Sequence, residues 1–121
     1  YMDIDIALDP FPYPGGGTTC EALYMGVPVI SLCGQRHGER FGYSLLKNLG
    51  LEALAPETKE GYIAMAVALA KDKETIGLLH RKLRQFMQNS TLMNARDYVA
   101  EIEAAYEKIW QDYVQKAGQE A

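Results

Sequence analysis

The chain has 121 residues, 48% hydrophobic and 23% charged, the size and composition of one soluble globular unit, with no apolar run near the roughly 20 residues of a membrane-spanning helix. Twelve basic against sixteen acidic residues give a net charge of −4, which argues against nucleic acid or an anionic membrane as the main partner. Two cysteines, Cys20 and Cys33, are too few for a disulfide framework and fit a reducing cytoplasm, and Asp3 and Asp5 stand where a signal peptide would be basic.

Ile4-Asp5-Ile6-Ala7-Leu8 is an apolar run broken by one acid and stopped by Asp9-Pro10-Phe11-Pro12-Tyr13-Pro14. It predicts a buried strand of about five residues, ending where the prolines forbid ladder bonds. The chain opens into this run with neither a cap nor a starting methionine, which reads as a cut within something longer. Gly15-Gly16-Gly17 leads into a predicted short helix ending at Met25, with Thr18 or Thr19 as its cap, Glu21 in its first turn and Gly26 left-handed after its end. Val27 to Leu32 predicts the second strand, with Pro28 near its start. Gly34 to Gly38 is a second loop, and Glu39 to Asn48 a helix with Phe41, Ser44, Leu45 and Leu49 on one face and Gly50 closing it. Leu51 to Ala55 offers a very short third strand before Pro56.

From Thr58 onward the pattern is helical. Tyr62, Met65, Ala66, Leu69 and Ala70 share one face, Asp72-Lys73 bends the chain, and Ile76, Leu79, Leu83 and Phe86-Met87 form the next stripe. Asn94 or Thr91 is placed to cap a last helix carrying Tyr98, Ile102, Ala105, Tyr106, Ile109, Trp110 and Tyr113, before a polar tail from Gln115 to Ala121. The order is β-α-β-α-(β)-α-α-α, an α/β fold with a parallel sheet and right-handed connections. No internal repeat is visible.

Residues 9–26 carry the chemistry. A strand, three glycines, then two threonines opening a helix make a phosphate cradle: the glycines admit close approach, and the helix N-terminus offers free N–H groups and partial positive charge. Glu21 lies about one turn in, within reach of the hydroxyls of a ribose held by its diphosphate. The spacing matches neither a Walker A loop nor G-x-G-x-x-G. The residues alone equally allow a tight turn with an ordinary cap, and Glu21 as a favourable first-turn acid.

Asp3 to Tyr13 followed by Gly-rich-Thr-Thr-Cys-Glu-Ala-Leu-Tyr-Met-Gly-Val-Pro-Val, then Gly34 to Leu46, Asn48 to Leu51 and Tyr98 to Trp110, resemble the C-terminal catalytic region of the O-linked N-acetylglucosamine transferase family, with its SPINDLY-like and bacterial members. The resemblance implies a partial Rossmann-like fold, the GT-B C-terminal half-domain, with a short parallel sheet and a helical C-terminal tail. Residues 1–56 would be its βαβα nucleotide-sugar-binding part and residues 57–121 closing helices of the same domain. It implies that Gly15, Gly16, Gly17, Thr18 and Thr19 hold the donor diphosphate, UDP-N-acetylglucosamine being the donor, and that Glu21 holds the ribose. The implied activity is inverting transfer of a sugar to a protein hydroxyl, without metal or cofactor, the departing diphosphate being stabilised by the helix dipole and amides. The catalytic groups would precede Tyr1. The implied partners are the nucleotide-sugar, a protein acceptor, and an N-terminal Rossmann domain and tetratricopeptide repeats in cis. Bacterial relatives carry Asn-Gly-Gly-Thr-Thr-Thr where this chain has Pro14-Gly15-Gly16-Gly17-Thr18-Thr19, which removes side-chain donors. That departure leaves room for a non-catalytic interaction domain of the same fold, or for a different GT-B glycosyltransferase or epimerase.

His37 and Arg40 sit at the carboxyl end of the second strand, where open α/β sheets bind ligands; His37 reads as a solvated loop residue, and the resemblance adds a place at the cleft edge. His80 reads as a surface residue, and Cys20 and Cys33 as small buried hydrophobes. The Tyr98-to-Tyr113 stripe reads as core rather than a cofactor box, with part of it exposed if a preceding domain is what it covers.

Overall fold

The computed structural model describes residues 1–119, so Glu120 and Ala121 of the expected tail lie outside the described residues. Strand β1 (Ala7–Leu8) pairs in parallel with β2 (Val29–Ile30), Ala7 opposite Val29 and Leu8 opposite Ile30. The Ala7 N–H donates to the Pro28 carbonyl at 2.9 Å and the Asp9 N–H to the Ile30 carbonyl at 2.8 Å. Helix α1 (Gly17–Tyr24) forms the crossover. The α/β class and the parallel pair are therefore as the sequence predicts.

The first strand is shorter and more open than its apolar run suggests. Leu8 is 58% exposed and Ile4 is exposed as well. Asp5 interrupts the run, and among the described residues β1 is hydrogen-bonded to β2 on one edge. Strand β2 is wholly enclosed instead, as are its flanks: Val27 and Pro28 before it, Val29 and Ile30 in it and Ser31 after it are all buried. On its far side the Ser31 N–H donates to the Leu54 carbonyl at 3.0 Å and the Cys33 N–H to the Pro56 carbonyl at 2.9 Å. The third strand expected over residues 51–55 is a 3-10 turn, Glu52–Leu54. The bond a parallel ladder would return from residue 56 to the Ser31 carbonyl needs an N–H, and Pro56 has none.

A 3-10 turn, His37–Arg40, leads into α2 (Phe41–Asn48). Its inward residues are Gly42 and Leu46, whereas Phe41 and Ser44 of the expected face are exposed. Side-chain size misleads here: a Cβ on Gly42 would lie 2.6 Å from Asp9 Oδ2 and would also strike Ser31, so the bare backbone fits where Phe41 could not. Helices α3 (Lys59–Lys71) and α4 (Lys73–Gln88) meet at Asp72. Its carboxylate accepts from the Thr75 N–H at 2.9 Å and the Thr75 hydroxyl at 2.6 Å, bonds that hold the exposed carboxyl below the usual carboxylate range. Leu23, Val27, Ile30, Leu46, Leu54, Leu69, Leu79, Leu83 and Met87 belong to one core cluster. Residues before and after position 56 thus share a single core.

Helix α5 (Ala95–Gln119) runs through the expected polar tail. Asn94 caps it, accepting from the Asp97 N–H at 3.2 Å. Its stripe is not core: every side chain described from Met93 to Gly118 is exposed, Trp110 at 64%. The apolar spacing signals a buried face, but no described element lies against it.

Gly26, at φ +88°, closes α1 in the left-handed region, and a Cβ there would lie 2.7 Å from the His80 backbone carbonyl of α4, beside a residue that is half-buried rather than on the surface. Gly50, at φ +71°, has nothing within 4 Å. Gly50→Ala is expected to cost about 1 kcal/mol from backbone strain alone. Gly26→Ala adds a collision with backbone and is expected to cost at least about 1 kcal/mol more; denaturant melts of the two variants check the order.

Candidate functional site

Asp9 follows β1 at the carboxyl end of the sheet, where Pro10 turns the chain away. It is 4% exposed. Its Oδ1 accepts from the Gly15 N–H at 2.7 Å, and its Oδ2 from the Ser31 hydroxyl at 2.7 Å. A buried carboxylate costs several kcal/mol unless its oxygens are hydrogen-bonded, and here each oxygen has a partner. The Asp9 carbonyl accepts from the Tyr62 hydroxyl of α3 at 3.0 Å. Burial first, and then the Asp9 charge, raises the Tyr62 phenol above its ordinary range. Phe11 meets Tyr62 edge-on at 5.4 Å between centroids.

The three glycines differ in what they do. A Cβ on Gly15 would lie 2.6 Å from Thr19 Oγ1, 2.8 Å from Thr18 Oγ1 and 3.3 Å from Asp9 Oδ1, whereas Gly16 and Gly17 have nothing within 4 Å. None of the three has positive φ, so close approach, not a left-handed turn, is what requires Gly15. Its N–H is spent inward on Asp9. The amides of Gly16, Gly17 and Thr18 make no hydrogen bond among the described residues.

Helix α1 starts at Gly17 with Gly16 as its N-cap and no side-chain cap bond. Capping by Thr18 or Thr19 is therefore corrected: the helix begins before them, and both lie inside its first turn. Glu21 correspondingly falls in the second turn, and no acid occupies the first. Its carboxylate accepts from the Tyr1 hydroxyl at 3.2 Å. Thr18 and the buried Thr19 line a cleft of about 210 Å³ with Tyr1, Leu8, Asp9 and Pro10. With the Thr19 N–H, which also makes none, the loop presents four unpaired amides at a helix N-terminus, beside a cleft, which suits an anionic group.

His37 and Arg40 lie elsewhere. Exposed His37 sits edge-on to Phe41 at 5.6 Å. Arg40 donates to the Gly34 carbonyl at 3.2 Å and lies 5.0 Å from the Tyr43 ring centroid. With Lys47 they line a hollow of about 380 Å³ that shares no residue with the glycine-loop cleft. Cys20 and Cys33 are free thiols, and partial burial pushes the Cys20 thiol up. Among the described residues no three His, Cys, Asp or Glu side chains gather to hold a metal.

Asp9, and the residues that enclose it, Ser31, Gly42 and Tyr62, form a support beneath the loop that sequence reasoning missed. Two signals pointed to them: an acid ending a strand at the ligand-binding end of the sheet, and one hydroxyl inside the apolar run Val27 to Leu32.

The model of glycosyl transferase family 41 matches residues 3–102. The chain is 41% identical over 113 residues to a probable UDP-N-acetylglucosamine–peptide N-acetylglucosaminyltransferase SPINDLY of Solanum lycopersicum, covering 93% of this chain and 12% of that protein. It is 26% identical over 109 residues to the UDP-N-acetylglucosamine–peptide N-acetylglucosaminyltransferase of Caenorhabditis elegans, covering 90% of this chain and 10% of that one. A solved structure of a mutant O-GlcNAc transferase from Thermobaculum terrenum superposes with TM-score 0.87 at 41% identity, over 95% of this chain and 22% of that one. The chain thus spans about an eighth of the curated SPINDLY relative's length.

Within the loop, Gly15→Ala is expected to cost about 1–3 kcal/mol by overpacking against Thr18 and Thr19. Gly17→Ala, open and helical, is expected to be neutral or stabilising by up to about 1 kcal/mol; thermal melts of the pair check the contrast.

Proposed function

The chain belongs to glycosyl transferase family 41, and from that premise we propose that residues 15–21 are the donor-binding loop of a protein O-glycosyltransferase using a nucleotide-sugar. The observation that carries the reading is the run of unpaired amides at Gly16, Gly17 and Thr18 on the N-terminus of α1. A diphosphate there would accept from those amides and gain from the helix dipole. Gly15 would shape the loop, and Thr18 and Thr19 would line the cleft the donor enters. Glu21 would take a ribose hydroxyl in place of the Tyr1 hydroxyl it now accepts from. The relatives are named for UDP-N-acetylglucosamine as donor and a peptide as acceptor, and we assign the same pair to this protein.

The chemistry rests on that placement. An acceptor hydroxyl attacks the anomeric carbon as its bond to the diphosphate oxygen breaks, and negative charge builds on the departing diphosphate. Amides fixed before the reaction stabilise that charge at little reorganisation cost. The groups that take the acceptor's proton are assigned to parts of the protein outside this chain. The exposed apolar face of α5, from Tyr98 to Tyr113, is assigned to packing on an N-terminal Rossmann-like domain in cis, with tetratricopeptide repeats preceding it. His37 and Arg40, which line a separate hollow, are assigned no contact with the donor diphosphate. No described helix is long and apolar enough to cross a membrane, and the two free thiols suit a cytoplasmic protein.

A second reading, an interaction domain that keeps the fold without transfer, is favoured by Pro14 and Gly17, which bring no side-chain donor to the loop. UDP titrated into isotope-labelled protein separates the two. The transferase reading predicts saturable shifts at the amides of Gly16, Gly17, Thr18 and Glu21. Shifts confined to other regions, or no saturation into the millimolar range, would contradict it.

A further inference from the structure

We infer that Asp9 is a positioning residue for the donor loop, acting through the Gly15 amide without touching the ligand; this rests on the donor-binding reading of that loop. A carboxylate is of the wrong sign beside a diphosphate, so its use there is geometric. Both its oxygens are already taken up by donors of the protein, Gly15 N–H and Ser31 Oγ.

The arrangement is asymmetric. On one side Asp9 is held by several elements: its N–H donates to Ile30 of β2, its carbonyl accepts from Tyr62 of α3, and its Oδ2 accepts from Ser31. Gly42 of α2 closes the same space, since a Cβ there would meet both Asp9 Oδ2 and Ser31. On the other side a single 2.7 Å bond leads out to the loop, at Gly15. Asp9 is thus fixed by the sheet and its helices, and the loop is fixed by Asp9.

That one bond orients the next turn of the chain. With the Gly15 N–H drawn inward, Gly16 becomes the N-cap of α1 and the amides of Gly16, Gly17, Thr18 and Thr19 make no hydrogen bond among the described residues. The space a side chain at Gly15 would need is filled by the Thr18 and Thr19 hydroxyls. Helix propensity cannot supply this registration, because no side chain caps α1. A charge-assisted bond to a buried acceptor does so, and such bonds are about twice as strong as neutral ones.

The test is UDP binding to the full-length protein carrying Asp9→Ala, Asp9→Asn or Ser31→Ala, read with thermal melts and with hydrogen exchange at the Gly15 amide. Asp9→Ala is expected to weaken UDP binding about tenfold or more and to speed Gly15 exchange at least about tenfold. Asp9→Asn keeps an oxygen for Gly15 and an amide for Ser31, and is expected to bind UDP within about threefold of the parent. Ser31→Ala is expected to lower the melting temperature while leaving UDP affinity within about threefold, because the Gly15 bond survives. Unchanged affinity in Asp9→Ala overturns the inference, as does a loss in Ser31→Ala equal to that in Asp9→Ala. If Asp9→Ala does not fold, a tenfold loss of UDP binding in folded Asp9→Asn overturns it, and retained binding with protected Gly15 supports it. If the parent itself binds no UDP, the donor reading fails, and Gly15 exchange in the variants still decides whether Asp9 sets the loop.

Discussion

A carboxylate with 4% of its surface exposed must have its oxygens satisfied by the protein, and that requirement ties the parts of this structure together. Asp9 meets it with the Gly15 amide and the Ser31 hydroxyl. To supply those donors, the glycine loop must fold back over the end of β1, and a serine must follow β2 where an apolar residue would otherwise pack. The enclosure of Asp9 also constrains α2, which approaches through Gly42, and α3, which reaches the same residue through Tyr62. The sheet's hydrophobic core supplies the rigidity, with Leu23, Ile30, Leu46 and Leu83 fully buried around β2. The polar cluster at its carboxyl end converts that rigidity into a fixed loop.

The two strands differ because their surroundings differ. β2 has β1 on one edge and the residue 54–56 segment on the other, with α1 and α3 packed against it, so its run of apolar residues is fully used. β1 has one partner among the described residues and leaves Leu8 in solvent. Helix α5 shows the same condition on a larger scale. Its stripe of Tyr98, Ile102, Tyr106, Ile109, Trp110 and Tyr113 is exposed along its length, side chains lined up on one helix face rather than scattered.

Much of this was legible in the residues, and the parts that were not have physical reasons. Gly26 and Gly50 closed their helices as read, because a left-handed position after a helix has a sharp residue signature. The Asp72 junction and the Asn94 cap followed from side-chain chemistry in the same way. The third strand gives way to a 3-10 turn before Pro56: Leu54 and Pro56 accept from Ser31 and Cys33 after β2, but Pro56 has no N–H to donate back. The face of α2 was misjudged because its closest approach is made by a glycine, which carries no hydrophobic signal. The buried-stripe reading of α5 was right about the pattern, whereas burial depends on a partner that no local pattern specifies. In the site, the loop and its helix were visible from Gly15 to Glu21. The division of labour within it was not, since that rests on a contact between Asp9 and Gly15 that only the folded chain brings about.

A structure of the full-length protein with UDP bound decides whether this loop holds the donor. The diphosphate oxygens are expected within hydrogen-bonding distance of the Gly16, Gly17 and Thr18 amides, with the Gly15 N–H still on Asp9 Oδ1. A diphosphate bound away from this loop, or a Gly15 amide released from Asp9 to reach the ligand, would contradict it.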